Sequence, residues 1–153
     1  MDERTPVSVV TGANAGLGRA VARALAAAGD RVFMVVRNAS RGAAARDQLI
    51  AETGNSRVEL LIADLASQAE VRRLADALGE RADHIDRLIN NAGTAYPVRG
   101  LTADGIERTF AVNHLAPFLL TNLLLPLLER AAAARIVNVG TRIDTEKIGR
   151  AHV

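Results

Sequence analysis

Short β-branched runs alternate with longer stretches of helical periodicity along the chain. Residues 7–10 are apolar except for Ser8, as in a strand covered on both faces. A glycine-rich turn follows, then a helix over about 17–28 that Gly29 and Asp30 close. A second strand is predicted over 31–36. Asn38, Ala39 and Ser40 can cap a helix that runs to about residue 52 and ends at Gly54 and Asn55. Residues 58–62 make a third strand, and Ser67, Gln68, Ala69 and Glu70 have the form of a capping box opening the next helix. A fourth strand is predicted over 85–89 and a fifth over 135–139. Between them lies a long helical region from 102 to about 133, with a bend expected near Pro117, which cannot donate a backbone hydrogen bond. Such alternation means parallel βαβ units with right-handed crossovers, hence one α/β domain with a doubly wound sheet.

Composition narrows what this domain can be. The chain has 153 residues, 49% of them hydrophobic and 24% charged, enough for one well-packed core and too apolar for disorder. It has no cysteine, which excludes disulfides and thiolate chemistry, and His84, His114 and His152 form no ligand spacing, so no metal site is expected. The net charge is only +2, and the arginines are scattered among acids (Arg72 and Arg73 before Asp76, Arg81 before Asp83). With 3% aromatic residues for base stacking, no nucleic-acid partner is expected. The longest apolar stretch, 115–128, is interrupted by Pro117, Thr121, Asn122 and Pro126 and reads as too broken to span a membrane. The first residues have no signal-peptide pattern, so a cytoplasmic location is the expectation.

The chemistry begins at the turn after the first strand, Thr11-Gly12-Ala13-Asn14-Ala15-Gly16-Leu17-Gly18, where a doubly wound sheet holds dinucleotides. Gly12 permits a turn that a Cβ would block, Gly16 lets the backbone approach a pyrophosphate, and Gly18 lets the helix pack closely on the strand. The helix N-terminus then offers free N–H groups to phosphates. Gly18 is followed by Arg19 and Ala20, which excludes a P-loop. The acid that usually binds the ribose hydroxyls of NAD at the end of the second strand is missing, and Arg37, helped by Arg41, stands there instead. A guanidinium there can pair with a 2′-phosphate, so NADP is favoured, with NAD as the alternative.

The spacing Thr-Gly-x3-Gly-x-Gly resembles the short-chain dehydrogenase/reductase family, and further matches follow in the family's order. Asp64 and Leu65 stand where the family contacts adenine, and Asn90-Asn91-Ala92-Gly93 resembles the motif that steadies the sheet beside the cofactor. Asn113 matches the helix asparagine of the catalytic tetrad, and 135–139 the strand leading to its serine. The run from Asp104 to Thr121 is most similar to the retinol-dehydrogenase-like branch. The resemblance implies a Rossmann-type sheet in the order 3-2-1-4-5 and hydride transfer between a nicotinamide dinucleotide and a small carbonyl or alcohol substrate. It also allows a homo-oligomeric full-length parent. The implied site is Gly12, Asn14, Ala15, Gly16, Leu17, Gly18, Arg37, Asp64, Leu65, Asn91, Ala92 and Gly93 for the cofactor, with Asn113 and Thr141 for catalysis.

In the family a tyrosine phenol acts as general acid/base beside a lysine that lowers its pKa. This chain contains no Tyr-x-x-x-Lys pair. Tyr96, the single tyrosine, is followed four positions on by Gly100 and is expected to line the substrate mouth. The only lysine is Lys147, and Ile148 to Val153 matches one reading frame of a widely used sequencing adapter. The expectation is therefore an incomplete dinucleotide-binding domain over 1–146 with a non-native tail over 147–153, inactive by itself. The competing reading is a non-catalytic dinucleotide-binding module.

Overall fold

Each β-branched run becomes a strand of one parallel sheet in the computed structural model, which describes residues 4–140. The strands are β1 (Val7–Thr11), β2 (Arg31–Val36), β3 (Val58–Ile62), β4 (Arg87–Asn90) and β5 (Arg135–Asn138). The helices are α1 (Gly16–Ala27), α2 (Ala39–Thr53), α3 (Gln68–Gly79) and α4 (Arg108–Leu128). The sheet order is β3-β2-β1-β4-β5, as expected from sequence. Thr141 and the 147–153 tail lie outside the described residues.

Successive strand residues feed two cores, because side chains alternate across a sheet. Val9, Phe33, Val35 and Leu88 pack with Leu74 and Leu78 of α3 and with Leu120 and Leu124 of α4. Val10, Val32, Met34 and Ile89 pack with Ala22 and Ala26 of α1 and with Ala45 and Leu49 of α2. Each large side chain so buried stabilises the fold by about 1.5–3 kcal/mol before entropy is counted. One charge is buried with them. Asp30, 2% exposed, accepts hydrogen bonds from Ser8 Oγ and from Arg87 Nη1 (2.6 Å), so that its carboxylate is paired as well as desolvated.

Three boundaries depart from the sequence reading. The fourth strand begins at Arg87 rather than residue 85, because the Ile85 N–H donates to the Leu127 carbonyl at the end of α4. Residues 102–106 are not helical. The Thr102 N–H donates to the Ile106 carbonyl, Leu101 bridges to Glu107, and Gly105 has φ +74°. The expected irregularity near Pro117 falls just before it, in a π-helical turn over Ala111–Leu115 that ends with the Ala116 N–H on the Ala111 carbonyl. Pro117 then follows as the second residue of the α-helical segment Ala116–Leu128, directly after that π-helical turn.

α4 therefore runs unbroken for 21 residues with a mean hydropathy of 1.5, long and apolar enough by those measures to cross a membrane, contrary to the expectation drawn from its prolines. It packs on α3 and on the sheet, with 39% of its apolar window buried. The cytoplasmic expectation, drawn from the first residues of the chain, gains no support from this helix.

Parallel pairing places the turns that follow all strands at one rim. The order reverses between β2 and β4 on either side of β1, which opens a crevice at the carboxyl end of β1.

Candidate functional site

The turn between β1 and α1 has the backbone its glycines predict. Gly12 and Gly16 take φ of +66° and +52°, in the left-handed region that a side chain disfavours. Gly18 is fixed by contact instead. A Cβ there would overlap the Asn91 amide and the Gly12 carbonyl, so only glycine lets α1 approach so closely. The N-terminus of α1 also differs from those of α2 and α3. Asn38 Oδ1 accepts from the Arg41 N–H at 2.9 Å and Ser67 Oγ from the Glu70 N–H at 3.3 Å, whereas the Ala15 N-cap has no side-chain acceptor to offer. The first turn of α1 carries no acid either, which leaves its N–H groups free for an anion from outside.

Those N–H groups border a cleft of about 420 Å³ at the β1 crevice. The structure brings Gly12, Asn14, Ala15, Gly16, Leu17, Gly18, Arg37, Asp64, Leu65, Asn91, Ala92 and Gly93 together around it, which is the whole cofactor set expected from sequence. It adds Val35, Val36, Ala63, Thr94, Tyr96 and Val112. Arg41 does not border the cleft. Arg37 and Asp64 are the charged residues on its wall.

Two side chains knit the cleft floor. Thr11 Oγ1 accepts from the N–H groups of Asn91 (3.0 Å) and Ala92 (2.9 Å), and Asn91 Nδ2 donates to the Thr11 carbonyl at 2.9 Å. The end of β1 is thereby locked to the segment after β4. The spacing in the sequence includes Thr11 without implying a role for it, and its position at the end of β1 is the signal that points to one. On the next wall the Asp64 N–H donates to Glu70 Oε2 at 2.6 Å and Asp64 Oδ1 accepts from the Ala66 N–H at 2.9 Å. The capping box is thus half formed. Ser67 caps α3, while Glu70 reaches back to Asp64 instead of Ser67.

Asn113 lies in the π-helical turn of α4 and borders a second cavity of about 390 Å³, with Asn90, His114, Phe118, Thr121 and Asn138. Both ends of its amide are committed to one residue. The Thr94 N–H donates to Asn113 Oδ1 at 2.8 Å, and Asn113 Nδ2 donates to the Thr94 carbonyl at 2.7 Å. Its side chain therefore holds the loop after Gly93. Pro117, four residues on, has no N–H with which to satisfy the Asn113 carbonyl. Asn90 Nδ2 donates to Asn138 Oδ1 (2.9 Å) and Thr121 Oγ1 (3.2 Å), tying β4 to β5 and α4.

Tyr96 borders the first cleft and not the second cavity, with its phenol oxygen 3.5 Å from Arg37 Nη1 and the Arg108 guanidinium 4.6 Å from its ring centroid. His114 is exposed and stacks on Phe110 at 5.0 Å. Glu107 caps α4 by accepting from the Thr109 (2.9 Å) and Phe110 (2.8 Å) N–H groups, and these bonds hold its carboxyl below the usual value of 4.5. No group of three or more metal-ligating side chains occurs among the described residues.

Known proteins resemble this chain in sequence and in fold. Mouse (Mus musculus) retinol dehydrogenase 11 is 41% identical over 146 residues, covering 95% of this chain and 46% of the relative. Human (Homo sapiens) dehydrogenase/reductase SDR family member 13 is 40% identical, covering 96% of this chain and 40% of the relative. The chain thus spans about half the length, or less, of the curated relatives it matches. Among solved structures, the Pseudomonas aeruginosa RhlG/NADP active-site complex superposes with a TM-score of 0.77 at 37% identity, over 89% of this chain and 54% of that one. A short-chain dehydrogenase from Sphingobium yanoikuyae in complex with NADPH gives 0.76 at 35% identity, with the same coverage of 89% and 54%. The sequence pattern of the family described as short chain dehydrogenase matches residues 6–150, and the chain belongs to that family.

Proposed function

We propose that this chain is the dinucleotide-binding part of an NADP-dependent oxidoreductase acting on a small carbonyl or alcohol. The observation that carries the reading is the cleft itself, where an uncapped helix N-terminus and Arg37 border one cavity and no carboxylate stands at the end of β2. A dinucleotide fits this chemistry. The α1 N–H groups and the open face of Gly16, where a Cβ would meet nothing within 4 Å, would receive the pyrophosphate. Arg37 would pair with the 2′-phosphate, and Asp64 and Leu65 would border the adenine. When bound, the nicotinamide supplies a hydride donor or acceptor. NADP in two superposable relatives supports the assignment.

This chain's own part in the chemistry is to bind and orient. Asn113 braces the loop bordering both cavities through Thr94, and Thr141 is proposed as the hydroxyl donor to the substrate oxygen. The 153 residues contain no Tyr-x-x-x-Lys pair, and Tyr96 lies between two arginines, so the chain as it stands binds without turnover. That favours dinucleotide binding alone as the activity of this polypeptide, whatever the parent enzyme reduces.

Replacing Arg37 tests the reading. Arg37→Asp should weaken NADP+ binding at least about tenfold and improve NAD+ binding, because the new carboxylate repels a phosphate and accepts from ribose hydroxyls. NADPH absorbance should stay constant when an aldehyde is added to the unaltered chain. An unchanged NADP+/NAD+ ratio in the variant would refute the cofactor assignment, and NADPH oxidation would refute the binding-only reading.

A further inference from the structure

Arg37 is exposed at the mouth of the cleft, and an exposed arginine loses rotamer entropy when it grips a ligand. Its one side-chain hydrogen bond among the described residues runs to the Tyr96 phenol oxygen, at 3.5 Å. Tyr96 is itself held. The Arg108 guanidinium covers its ring at 4.6 Å from the centroid, and Arg108 Nε is buried without a hydrogen-bond partner among the described residues. What keeps that guanidinium in place is the ring face and Gly100, whose missing Cβ would collide with it. The loop carrying Tyr96 is pinned at both ends. The Arg108 N–H donates to the Gly100 carbonyl at 2.9 Å, and Thr94 is bonded twice to Asn113. Neither Arg37 nor Arg108 forms an ion pair within 4 Å among the described residues, and the phenol ring sits between their two guanidinium groups.

We propose that Tyr96 is a positioning residue for Arg37 and sets the chain's selectivity for dinucleotides that carry a phosphate on the adenosine ribose. The proposal rests on the NADP reading above. Tyr96 accepts from Arg37, narrows the directions its guanidinium can take, and so lowers the ordering cost of gripping a phosphate. A ligand with bare ribose hydroxyls gains nothing from that arrangement. The two flanking guanidinium groups add a local positive field that favours the same dianion.

The chain has one tyrosine and no tryptophan, so its intrinsic emission reports on Tyr96 alone. The test is calorimetric titration of NADP+ and NAD+ into the unaltered chain, Tyr96→Phe, Arg37→Ala and the double variant, with tyrosine emission of the unaltered chain followed alongside. Tyr96→Phe keeps the ring that Arg108 covers, and its circular dichroism should match the parent's. It should lose roughly fivefold in NADP+ affinity and leave NAD+ affinity unchanged. The double variant should bind NADP+ no more weakly than Arg37→Ala, because the phenol acts through that arginine. NADP+ should perturb the emission more than NAD+ does. If Arg37→Ala abolishes the preference while Tyr96→Phe retains it, or weakens both ligands equally, the role of Tyr96 is overturned and the cofactor reading stands. A parent chain that does not prefer NADP+ overturns both.

Discussion

At the scale of single residues, the cleft is made by positions where backbone geometry leaves few options. Gly18 touches the Asn91 amide and the Gly12 carbonyl so closely that any larger side chain must push α1 off β1. Gly18→Val should cost about 1–3 kcal/mol in a denaturant melt and abolish measurable dinucleotide binding. A variant of parental stability would show that the helix can move away freely. Such constraints made the cleft legible in advance, because left-handed turns and close backbone approach select glycine in the sequence itself. Asn91 was legible as part of a recognised motif, and the structure supplies its reason, the bonds to Thr11 and Gly12. Tyr96 was not legible. Its position depends on Arg108 and Arg37, 12 and 59 positions away, and no local spacing encodes a cation stacked on a ring.

At the scale of elements, strands and helices followed from periodicity, and their ends did not. Tertiary partners set the ends: Ile85 leaves β4 for the end of α4, and the turn closed by Gly105 delays α4 until Glu107 can cap it. That cap is itself testable. The Glu107 carboxyl is held below the usual 4.5 by the Thr109 and Phe110 N–H groups, so its contribution is complete above that value and is lost as pH falls through the lower folded value. Glu107→Ala should therefore melt at a lower temperature than the parent at pH 7, and the gap should close as pH falls below 4.5. A gap that stays constant down to pH 3 would contradict the cap. The π-helical turn belongs to the same scale. Pro117 announced an irregularity in the sequence, but the structure places it over Ala111–Leu115, in the turn that carries Asn113.

At the scale of the whole molecule, the sheet order was legible because right-handed parallel crossovers leave few ways to connect five alternating strands. The reversal of order at β1 creates the crevice, the glycine turn lines it, and the bare N-terminus of α1 faces it. β5 is exposed along its length, and Phe118 and Leu125 on α4 are exposed as well. Less of the second cavity could be read. Asn113 was placed there, and Thr141 lies outside the described residues. The central claim is that the cleft holds a phosphorylated nicotinamide dinucleotide. Calorimetric titration of NADP+ and NAD+ into the unaltered 153-residue chain tests it most directly. Saturable binding of one NADP+ per chain, tighter than that of NAD+, is the predicted result. Absence of NADP+ binding, or tighter binding of NAD+, would contradict it.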